Sequence, residues 1–295
     1  MVVDCHYHFT PESIPEETLL AHMDSAGIDK VAIMPSFCGP IGEPPSLFTA
    51  LMRFTLRHSS LRPFTKKSIT RFTDQGHVRL PTGAVAIYPV PDNRQVFETV
   101  DHYPERFYGW CMVNPAGSQD PLRGYDLWKD HPGCVGVKAH PFWHRFAVKE
   151  LLAVCHRVAQ KKAVLIIHLG FDNHGDILSL ADALPELKII IAHAAFPCYN
   201  DTWKLIRNRP NIRVDLSATS YVNEKIMIDV SSFLGIERCL FGTDGPFGSH
   251  QHHEGFDMAM ILRTIKRVFP DTGHQRLLLG ENFLEFINPG CVGTP

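Results

Sequence analysis

Eight short apolar segments with strand-like composition recur along this 295-residue chain, and helical patterns separate most of them. Most of these segments are nearly continuous in apolar residues, as expected of parallel strands that are covered on both faces. We predict strands at residues 2–8, 30–36, 107–114, 134–140, 163–169, 188–194, 212–217 and 239–244. Eight strands that alternate with helices predict an α/β fold of the (β/α)₈ TIM-barrel type, with residues 1–295 as a single domain.

The segments between the strands carry the three- and four-residue spacing of amphipathic helices. Leu19, Leu20, Met23 and Ala26 fall on one helical face, and Gly27 is a natural stop after them. The alternative architecture is an open, doubly wound sheet. The first predicted strand is not followed by the G-x-G-x-x-G pattern of that class, which favours the barrel.

One connection, residues 37–90 between the second and third strands, is too long for an ordinary loop. Its middle part is basic and contains a single acid, Asp74. The basic residues are Arg53, Arg57, Arg62, Lys66, Lys67, Arg71 and Arg79. One interpretation is a solvated, mobile excursion. The other is a lid over the barrel mouth whose cations bind an anionic substrate. Residues 91–105 are predicted to form a helix that returns the chain to the third strand.

The composition excludes several classes of protein. Lys and Arg total 29 against 31 Asp and Glu, so net charge gives no reason to expect a nucleic-acid or membrane partner. No apolar run approaches the length of a membrane span, and no signal peptide precedes the first strand. The eight cysteines include no C-x-x-C pair, which is typical of reduced thiols in a cytoplasmic protein.

Potential ligands and proton carriers close five of the predicted strands. In barrels of this kind the chemistry takes place at the carboxyl ends of the strands, so these side chains are expected to face one site. Polar residues at five strand ends are hard to explain by core packing. The residues are His6 and His8 on the first strand, Lys138 and His140 on the fourth, His168 on the fifth, His193 on the sixth and Asp244 on the eighth.

His6 and His8 form a His-x-His pair at the end of the first strand. Because strand side chains alternate between faces, both imidazoles are expected on the same face, with Cys5 and Tyr7 directed away from the barrel axis. Imidazole and carboxylate ligands suit zinc, manganese or iron(II). Such an ion lowers the pKa of a water molecule toward neutrality, and a neighbouring carboxylate or histidine can then take the proton.

The chain resembles the amidohydrolase superfamily, and specifically its amidohydrolase-related branch (amidohydrolase 2), which includes enzymes similar to aminocarboxymuconate-semialdehyde decarboxylase. The resemblance covers nearly the whole chain except the 37–90 insertion. Besides His-x-His, it is carried by the segments 20–30, 136–141, 184–193, 242–247 and 280–283. Each segment is weak alone, but their order and their positions on the strands are specific.

The resemblance implies that His6, His8, His168 and Asp244 bind one divalent metal ion, most simply Zn, with Mn or Fe as alternatives. Asp244 would be both ligand and proton acceptor. His193 would be a ligand of a second metal site or, with a single metal, the residue that orients or deprotonates the water. In two-metal relatives a lysine on the fourth strand is carboxylated. We favour an unmodified Lys138 and one metal, with Lys138 as a cation that faces the substrate or as a partner of the ligands.

Other residues are candidates for substrate binding. His140 is expected to shape the same wall as Lys138, and Arg145 is the best candidate outside the insertion for a carboxylate anchor. Loop residues after the fifth and eighth strands are weaker candidates. These are Asp172, Asn173, His174, His250, His252 and His253.

Three functions fit this sequence. The first is metal-dependent hydrolysis of a C–O or C–N bond, of lactone or amide type, in a small carboxylate-bearing molecule. The second is non-oxidative decarboxylation of an aromatic or muconate-like acid at the same metal site. The third is a binding barrel without catalysis, which the intact Asp244 and His193 disfavour. The resemblance also makes a homodimer plausible.

Overall fold

The computed structural model contains eight parallel strands that follow one another in chain order around a barrel. It describes residues 1–39, 41–42, 44–69, 71–171, 174–247, 251–252 and 255–288. The barrel strands are β1 (Val3–Phe9), β2 (Lys30–Pro35), β3 (Phe107–Val113), β4 (Cys134–Ala139), β5 (Val164–Ile167), β6 (Lys188–Ile191), β7 (Ile212–Asp215) and β8 (Cys239–Leu240). The predicted (β/α)₈ TIM barrel, with a strand in each of the eight predicted segments, is therefore confirmed.

The barrel closes where β8 and the segment after it lie beside β1. The Cys5 amide donates to the Phe241 carbonyl at 3.0 Å, and the Asp244 amide donates to the His6 carbonyl at 2.8 Å. Tyr7 and Gly245 form a parallel bridge across the same seam. This seam brings residues from the two ends of the chain to one edge of the barrel mouth.

Helices cover the outside of the barrel, and each strand is followed by at least one. A 3₁₀ turn at Val148–Leu151 precedes the helix after β4, and a π-helical turn at Leu277–Glu281 precedes the last helix. The helices that follow β1 to β8 in turn are Glu16–Ala26, Asn93–His102, Pro121–Asp126, Leu152–Gln160, His174–Ala183, Asn200–Ile206, Glu224–Leu234 and Ala259–Val268. Shorter helices at Pro141–His144, Thr272–Arg276 and Asn282–Ile287 complete the shell.

Two apolar cores result from the alternation of side chains on the strands. One face of each strand packs against the outer helices, with Ile33, Leu165 and Ile189 as examples. The other face fills the barrel interior, where Trp110 and Ile166 are fully buried together with Phe283 of the last helix. Core packing therefore fills one end of the barrel and leaves the polar strand ends grouped at the other.

The structure corrects two local expectations. β5, β6 and β8 end before His168, His193 and Asp244, because the backbone turns away from strand geometry there; His193 and Asp244 have φ values of 56° and 59°. The pairing of β1 with β2 also shifts register between Asp4 and Tyr7. As a result, Cys5 packs in the barrel interior and does not point outward.

The long connection after β2 contains two helices, Ser46–Arg57 and Arg62–Ile69, and a short antiparallel ribbon of Val78–Leu80 with Gly83–Val85. Three of its arginines bind acceptors on a barrel loop or on the outer helices. Arg53 donates to the carbonyls of Thr219 and Ser220, Arg57 pairs with Asp229, and Arg62 pairs with Asp201 at 2.9 Å. These contacts give the three arginines a docking role that explains part of the basic composition of the segment.

Gly136 is a position in β4 that no larger residue can occupy without distortion. Its φ is +150°, and an added Cβ would lie 1.8 Å from the Val164 carbonyl oxygen of β5. We expect Gly136→Ala to lower the free energy of unfolding by at least about 2 kcal/mol, because the two strands must separate. Urea unfolding followed by tryptophan fluorescence measures this.

Gly175→Ala is the matched control, because an added Cβ there has nothing within 4 Å and the residue lies in a helix. We expect that control to be neutral or slightly stabilising. Equal unfolding midpoints for the two variants would contradict the account of β4.

Two further features of the chain concern possible membrane spans and the state of the cysteines. Within the described ranges, no helix is both long enough and apolar enough to cross a membrane. The described cysteines are all free thiols, and most are buried. Cys291 lies outside the described residues.

Candidate metal centre

A buried group of His6, His8 and Asp244 forms at the seam between β1 and the segment after β8. Asp244 Oδ1 lies 3.2 Å from His6 Nε2 and 3.5 Å from His8 Nε2. These ligand atoms lie within 4.8 Å of one another, close enough to hold a single metal ion. Asp244 Oδ2 lies 4.0 Å from His193 Nε2, so a third imidazole borders the same carboxylate.

Hydrogen bonds fix which nitrogen of each imidazole carries the proton. His6 Nδ1 lies 3.0 Å from Asp215 Oδ2, and His8 Nδ1 lies 3.5 Å from the Pro35 carbonyl oxygen. Carboxylate and carbonyl oxygens only accept hydrogen bonds, so both Nδ1 atoms are the donors. The Nε2 atoms of both rings then carry lone pairs and lie near Asp244, as metal ligation requires.

The same reasoning extends to His193 through a short relay. The Ser217 hydroxyl donates to Asp215 Oδ1 and therefore accepts from His193 Nδ1, which lies 2.9 Å away. His193 Nε2 is consequently unprotonated as well. Asp215 also accepts the His193 backbone amide at 2.9 Å. A single fully buried carboxylate thus orients two imidazoles of the site.

His168 is placed beside this group. Its ring centre lies 4.7 Å from that of His193 and 4.2 Å from that of His140, on which it stacks. Its Nε2 atom is buried and has no hydrogen-bond partner in the protein. A buried imidazole nitrogen without a partner is costly, and a cation is one group that would satisfy it. The residues present therefore fit a divalent metal ion.

Lys138 lies fully buried in the barrel interior and donates from Nζ to His6 Nε2 at 2.8 Å. Burial lowers the pKa of its ammonium group to about 8, despite the opposing effect of Asp244 and Asp215. Its contact with a predicted ligand agrees with a role as a partner of the ligands. It does not line the pocket above them.

Burial also keeps the imidazoles of the site neutral. Desolvation, followed by repulsion from Lys138, lowers the pKa of His168 to about 3. Desolvation likewise holds the pKa values of His6, His8 and His193 well below the usual range. Neutral imidazoles keep their lone pairs at neutral pH, which metal binding requires.

Asp244 combines burial with an unusual backbone. Desolvation raises the pKa of its carboxyl well above the usual range, and the Lys138 charge partly opposes this. Its φ of 59° lies in the left-handed region, which non-glycine residues rarely adopt outside sites with a particular geometric demand. Backbone hydrogen bonds hold the residue in place: the Asp244 amide donates to the His6 carbonyl, and the Phe247 amide donates to the Asp244 carbonyl.

Above the metal group, a pocket opens between two sets of aromatic side chains. On one side, Phe37 lies 5.3 Å from the His8 ring, and Phe247 lies 5.4 Å from it, measured between ring centres. On the other side, Phe196 and Tyr221 stack at 4.1 Å, and Tyr221 lies 5.3 Å from the His193 ring. His8, His140, His168, His193 and Asp244 line the floor of this pocket.

The predicted substrate-binding residues are placed differently from one another. His140 lines the pocket, and its Nδ1 accepts the Trp143 amide at 3.2 Å, so its Nε2 carries the proton. Arg145 is exposed and stacks on Phe72, with its guanidinium carbon 5.0 Å from the ring centre. It is not among the residues that line the pocket. Asp172, Asn173, His250 and His253 lie outside the described residues, as do the side chains of His174 and His252.

Three buried residues of the site were missed by the sequence analysis. Asp215 is the last residue of β7 and Ser217 follows it, and their spacing of two residues, the same as in His-x-His, is the signal that could have revealed them. Asp4 accepts from the Thr243 amide and hydroxyl and from the His6 amide, and so ties β1 to the segment after β8. Nothing in an Asp within an apolar run indicates that partner in advance.

The chain matches a protein-family model over most of its length. The family model described as Amidohydrolase (Amidohydro_2) matches residues 3–283. No curated protein sequence gives a significant match.

Solved structures with the same fold include both hydrolases and decarboxylases. The chain is similar to a probable 2-pyrone-4,6-dicarboxylic acid hydrolase from Acinetobacter baumannii with citric acid bound, at a TM-score of 0.64 and 14% identity over 97% of this chain and 98% of that one. It is also similar to a manganese-bound 5-carboxyvanillate decarboxylase from Novosphingobium aromaticivorans, at a TM-score of 0.61 and 14% identity over 97% and 96%. A manganese-bound dihydroxybenzoic acid decarboxylase from Polaromonas gives 0.57 and 15% over 97% and 96%.

Proposed function

Because this chain belongs to the amidohydrolase family and is an enzyme of that superfamily, we propose that it hydrolyses a C–O or C–N bond, of lactone or amide type, in a small molecule. The observation that supports this is the convergence of the unprotonated Nε2 atoms of His6, His8 and His193 on the Asp244 carboxylate. A carboxylate among neutral imidazoles can both hold a cation and accept a proton.

We assign His6, His8, His168 and Asp244 as the residues that would hold one divalent metal ion. When bound, the ion would supply Lewis-acid polarisation of the substrate carbonyl and a lowered water pKa. Imidazole and carboxylate donors fit zinc, manganese and iron(II), and we propose zinc first. Lys138 remains unmodified in this proposal, since its Nζ contacts His6 Nε2 directly.

The residues of the chain then divide the work of hydrolysis. Asp244 accepts a proton at Oδ2 as water oxygen bonds to the substrate carbonyl carbon, and it returns the proton to the leaving oxygen or nitrogen as the original bond breaks. His193 Nε2, 4.0 Å from that oxygen, orients the water. His140 supplies a neutral N–H from Nε2 to the substrate oxygen, on which negative charge develops.

Metal content tests the assignment of the site. We expect about one divalent metal per chain in protein purified without added metal or chelator, measured by elemental mass spectrometry. The double variant His6→Ala/His8→Ala should lose it, whereas His22→Ala, outside the barrel mouth, should keep it. About two metals per chain would indicate a binuclear site with carboxylated Lys138. A metal-free protein that does not rebind zinc would contradict the proposal.

Decarboxylation of an aromatic acid is the second candidate, and the aromatic walls of the pocket favour it. The stacked Phe196–Tyr221 pair and Phe37 border a space suited to a flat ring. In that reaction the carbon–carboxylate bond breaks, CO₂ leaves, and Asp244 donates a proton to the ring carbon.

Isotope tracing separates the two reactions. In H₂¹⁸O, hydrolysis places one labelled oxygen in the product acid and releases no CO₂. Decarboxylation releases CO₂ and leaves the remaining product unlabelled. A panel of lactones, amides and aromatic acids assayed with zinc-loaded enzyme in both ways decides between them, and turnover of none of them would favour a binding barrel.

A further inference from the structure

The walls of the pocket above the candidate metal centre carry no lysine or arginine. All 29 lysines and arginines of the chain belong to the residues that the structure describes, and none lines this pocket. Apart from uncharged hydroxyl groups such as those of Thr49, Thr82 and Ser220, the polar groups of its lining belong to the floor residues His8, His140, His168, His193 and Asp244. A substrate that reaches the floor therefore has no cationic side chain along its sides.

Three arginines of the segment after β2 and the buried Lys138 are held by protein acceptors. Arg53 is bound to the carbonyls of Thr219 and Ser220, with the closer contact at 2.9 Å, and Arg62 is paired with Asp201. Arg57 is paired with Asp229. Lys138 contacts His6 Nε2 from inside the barrel. Moving one of the three arginines toward a ligand would break its contact with a carbonyl or carboxylate of the protein, and moving Lys138 would break its contact with His6.

Most of the remaining side chains of the enclosure are apolar or aromatic, and Thr49, Thr82 and Ser220 add uncharged hydroxyl groups. The segment after β2 contributes Phe48, Met52, Ile69 and Leu80 over the top. Phe37 and Phe247 border one side and the stacked Phe196–Tyr221 pair borders the other. A flat apolar group fits between such walls, whereas an anionic group placed against them would lose its hydration without compensation.

We propose that this enzyme selects substrates whose portion remote from the scissile bond is apolar, ring-sized and uncharged, and that it discriminates against a second carboxylate there. The inference rests on the proposed hydrolysis of a lactone or amide. The sequence predicts a carboxylate-bearing substrate. The proposal adds that this carboxylate lies at the reacting end of the substrate, beside the floor of the pocket. Leu80, which lies in the segment after β2 and lines the pocket, is a determinant of this substrate selectivity.

A matched pair of lactones tests the inference. With zinc-loaded enzyme, we expect kcat/KM for 3,4-dihydrocoumarin to exceed that for its 6-carboxylate by at least about 100-fold, because the added carboxylate meets an apolar wall. Hydrolysis of either compound consumes one water. It yields 3-(2-hydroxyphenyl)propanoate from 3,4-dihydrocoumarin and 3-(5-carboxy-2-hydroxyphenyl)propanoate from the 6-carboxylate. Comparable values for the two lactones, or a preference for the carboxylated one, would overturn the inference.

A positive charge at Leu80 should weaken the preference for the uncharged lactone. Leu80→Lys puts an ammonium group at a half-buried rim position, and we expect the ratio of the two kcat/KM values to fall by about tenfold or more. Leu80→Gln is the control, since it is polar and of similar length but uncharged, and its ratio should stay close to that of the unaltered enzyme. An equal shift in both variants would contradict selection by charge.

Binding separates a failure of the inference from a failure of the proposed function. If neither lactone is hydrolysed, the proposed hydrolysis fails for this class, yet calorimetric titration still tests the pocket. We expect 3-phenylpropanoate to bind the zinc-loaded protein at least tenfold more tightly than 3-(4-carboxyphenyl)propanoate. The reverse order, or equal affinity, would overturn the inference whatever the outcome with the lactones.

Discussion

Replacing Asp244 with Asn should lower kcat/KM by about 10³-fold or more while the fold is retained. The amide has the shape of the carboxylate but accepts no proton at neutral pH, and it supplies only a neutral oxygen to a cation. The position itself is tightly determined, because the Asp244 amide donates to the His6 carbonyl at 2.8 Å. The backbone hydrogen bond survives the substitution, so the effect should fall on the chemistry.

The measurement is steady-state hydrolysis of the best lactone or amide found in the panel, with the thermal midpoint as a check on folding. Asp229→Asn makes the same chemical change at the carboxylate that pairs with Arg57, away from the pocket. That control should keep at least half of the activity. An Asp244→Asn variant of undiminished activity would remove the carboxylate from the mechanism.

Replacing Asp215 with Asn should weaken zinc binding by about 10- to 100-fold, although Asp215 is not among the proposed ligands. The carboxylate accepts from His6 Nδ1 at 3.0 Å, so that Nε2 keeps its lone pair. An amide nitrogen in that place donates instead, and it stabilises the opposite tautomer, in which Nε2 carries the proton and cannot bind a metal.

Competition with a chromophoric zinc chelator measures this affinity. Comparison with Ser217→Ala separates the effect of Asp215 on His6 from its effect on His193. The serine hydroxyl accepts from His193 Nδ1 at 2.9 Å and lies 3.4 Å from His6 Nδ1, farther than Asp215 Oδ2 at 3.0 Å. Its loss should change zinc affinity less than the loss of Asp215, because His6 keeps its own acceptor. If Asp215→Asn binds zinc as tightly as the unaltered protein, the tautomer argument is wrong.

The basic segment of the insertion is a case in which composition alone did not predict the role of the side chains. Its arginines were consistent with a lid whose cations bind an anionic substrate, and charge alone could not decide. In the structure Arg53 binds carbonyls of a barrel loop, and Arg57 and Arg62 bind carboxylates of the outer helices. Which acceptors a cation meets depends on chain segments far away in sequence, so the pairing of these groups could not be read from the segment itself.

The barrel, in contrast, follows from local patterns. Parallel strands buried on both faces require apolar runs, and the runs at 30–36 and 107–114 correspond closely to β2 (Lys30–Pro35) and β3 (Phe107–Val113). Side-chain period also placed His6 and His8 toward one site. It failed for Cys5, because the register shift in β1 adds a residue to the inner face, and the sequence carries no signal for a bulge there.

Asp215 marks the limit of reasoning from one residue at a time. A buried carboxylate at a strand end was as visible in the sequence as His168, yet its importance comes from the two imidazoles it orients. That role depends on the geometry of three strands together, β1, β6 and β7. Residues that act through others are therefore harder to predict than residues that present ligands themselves.

The seam between β1 and the segment after β8 has a consequence for how the molecule reaches and keeps its active form. Asp4 and Thr243, whose hydrogen bonds join the two sides, lie 239 residues apart in the chain. The candidate metal group spans the same seam, so it can assemble only once the segment after β8 has docked on β1. A bound ion would then stabilise the contact between the first and last strands of the barrel. Loss of the ion would make this seam the place where the barrel first opens to proteases.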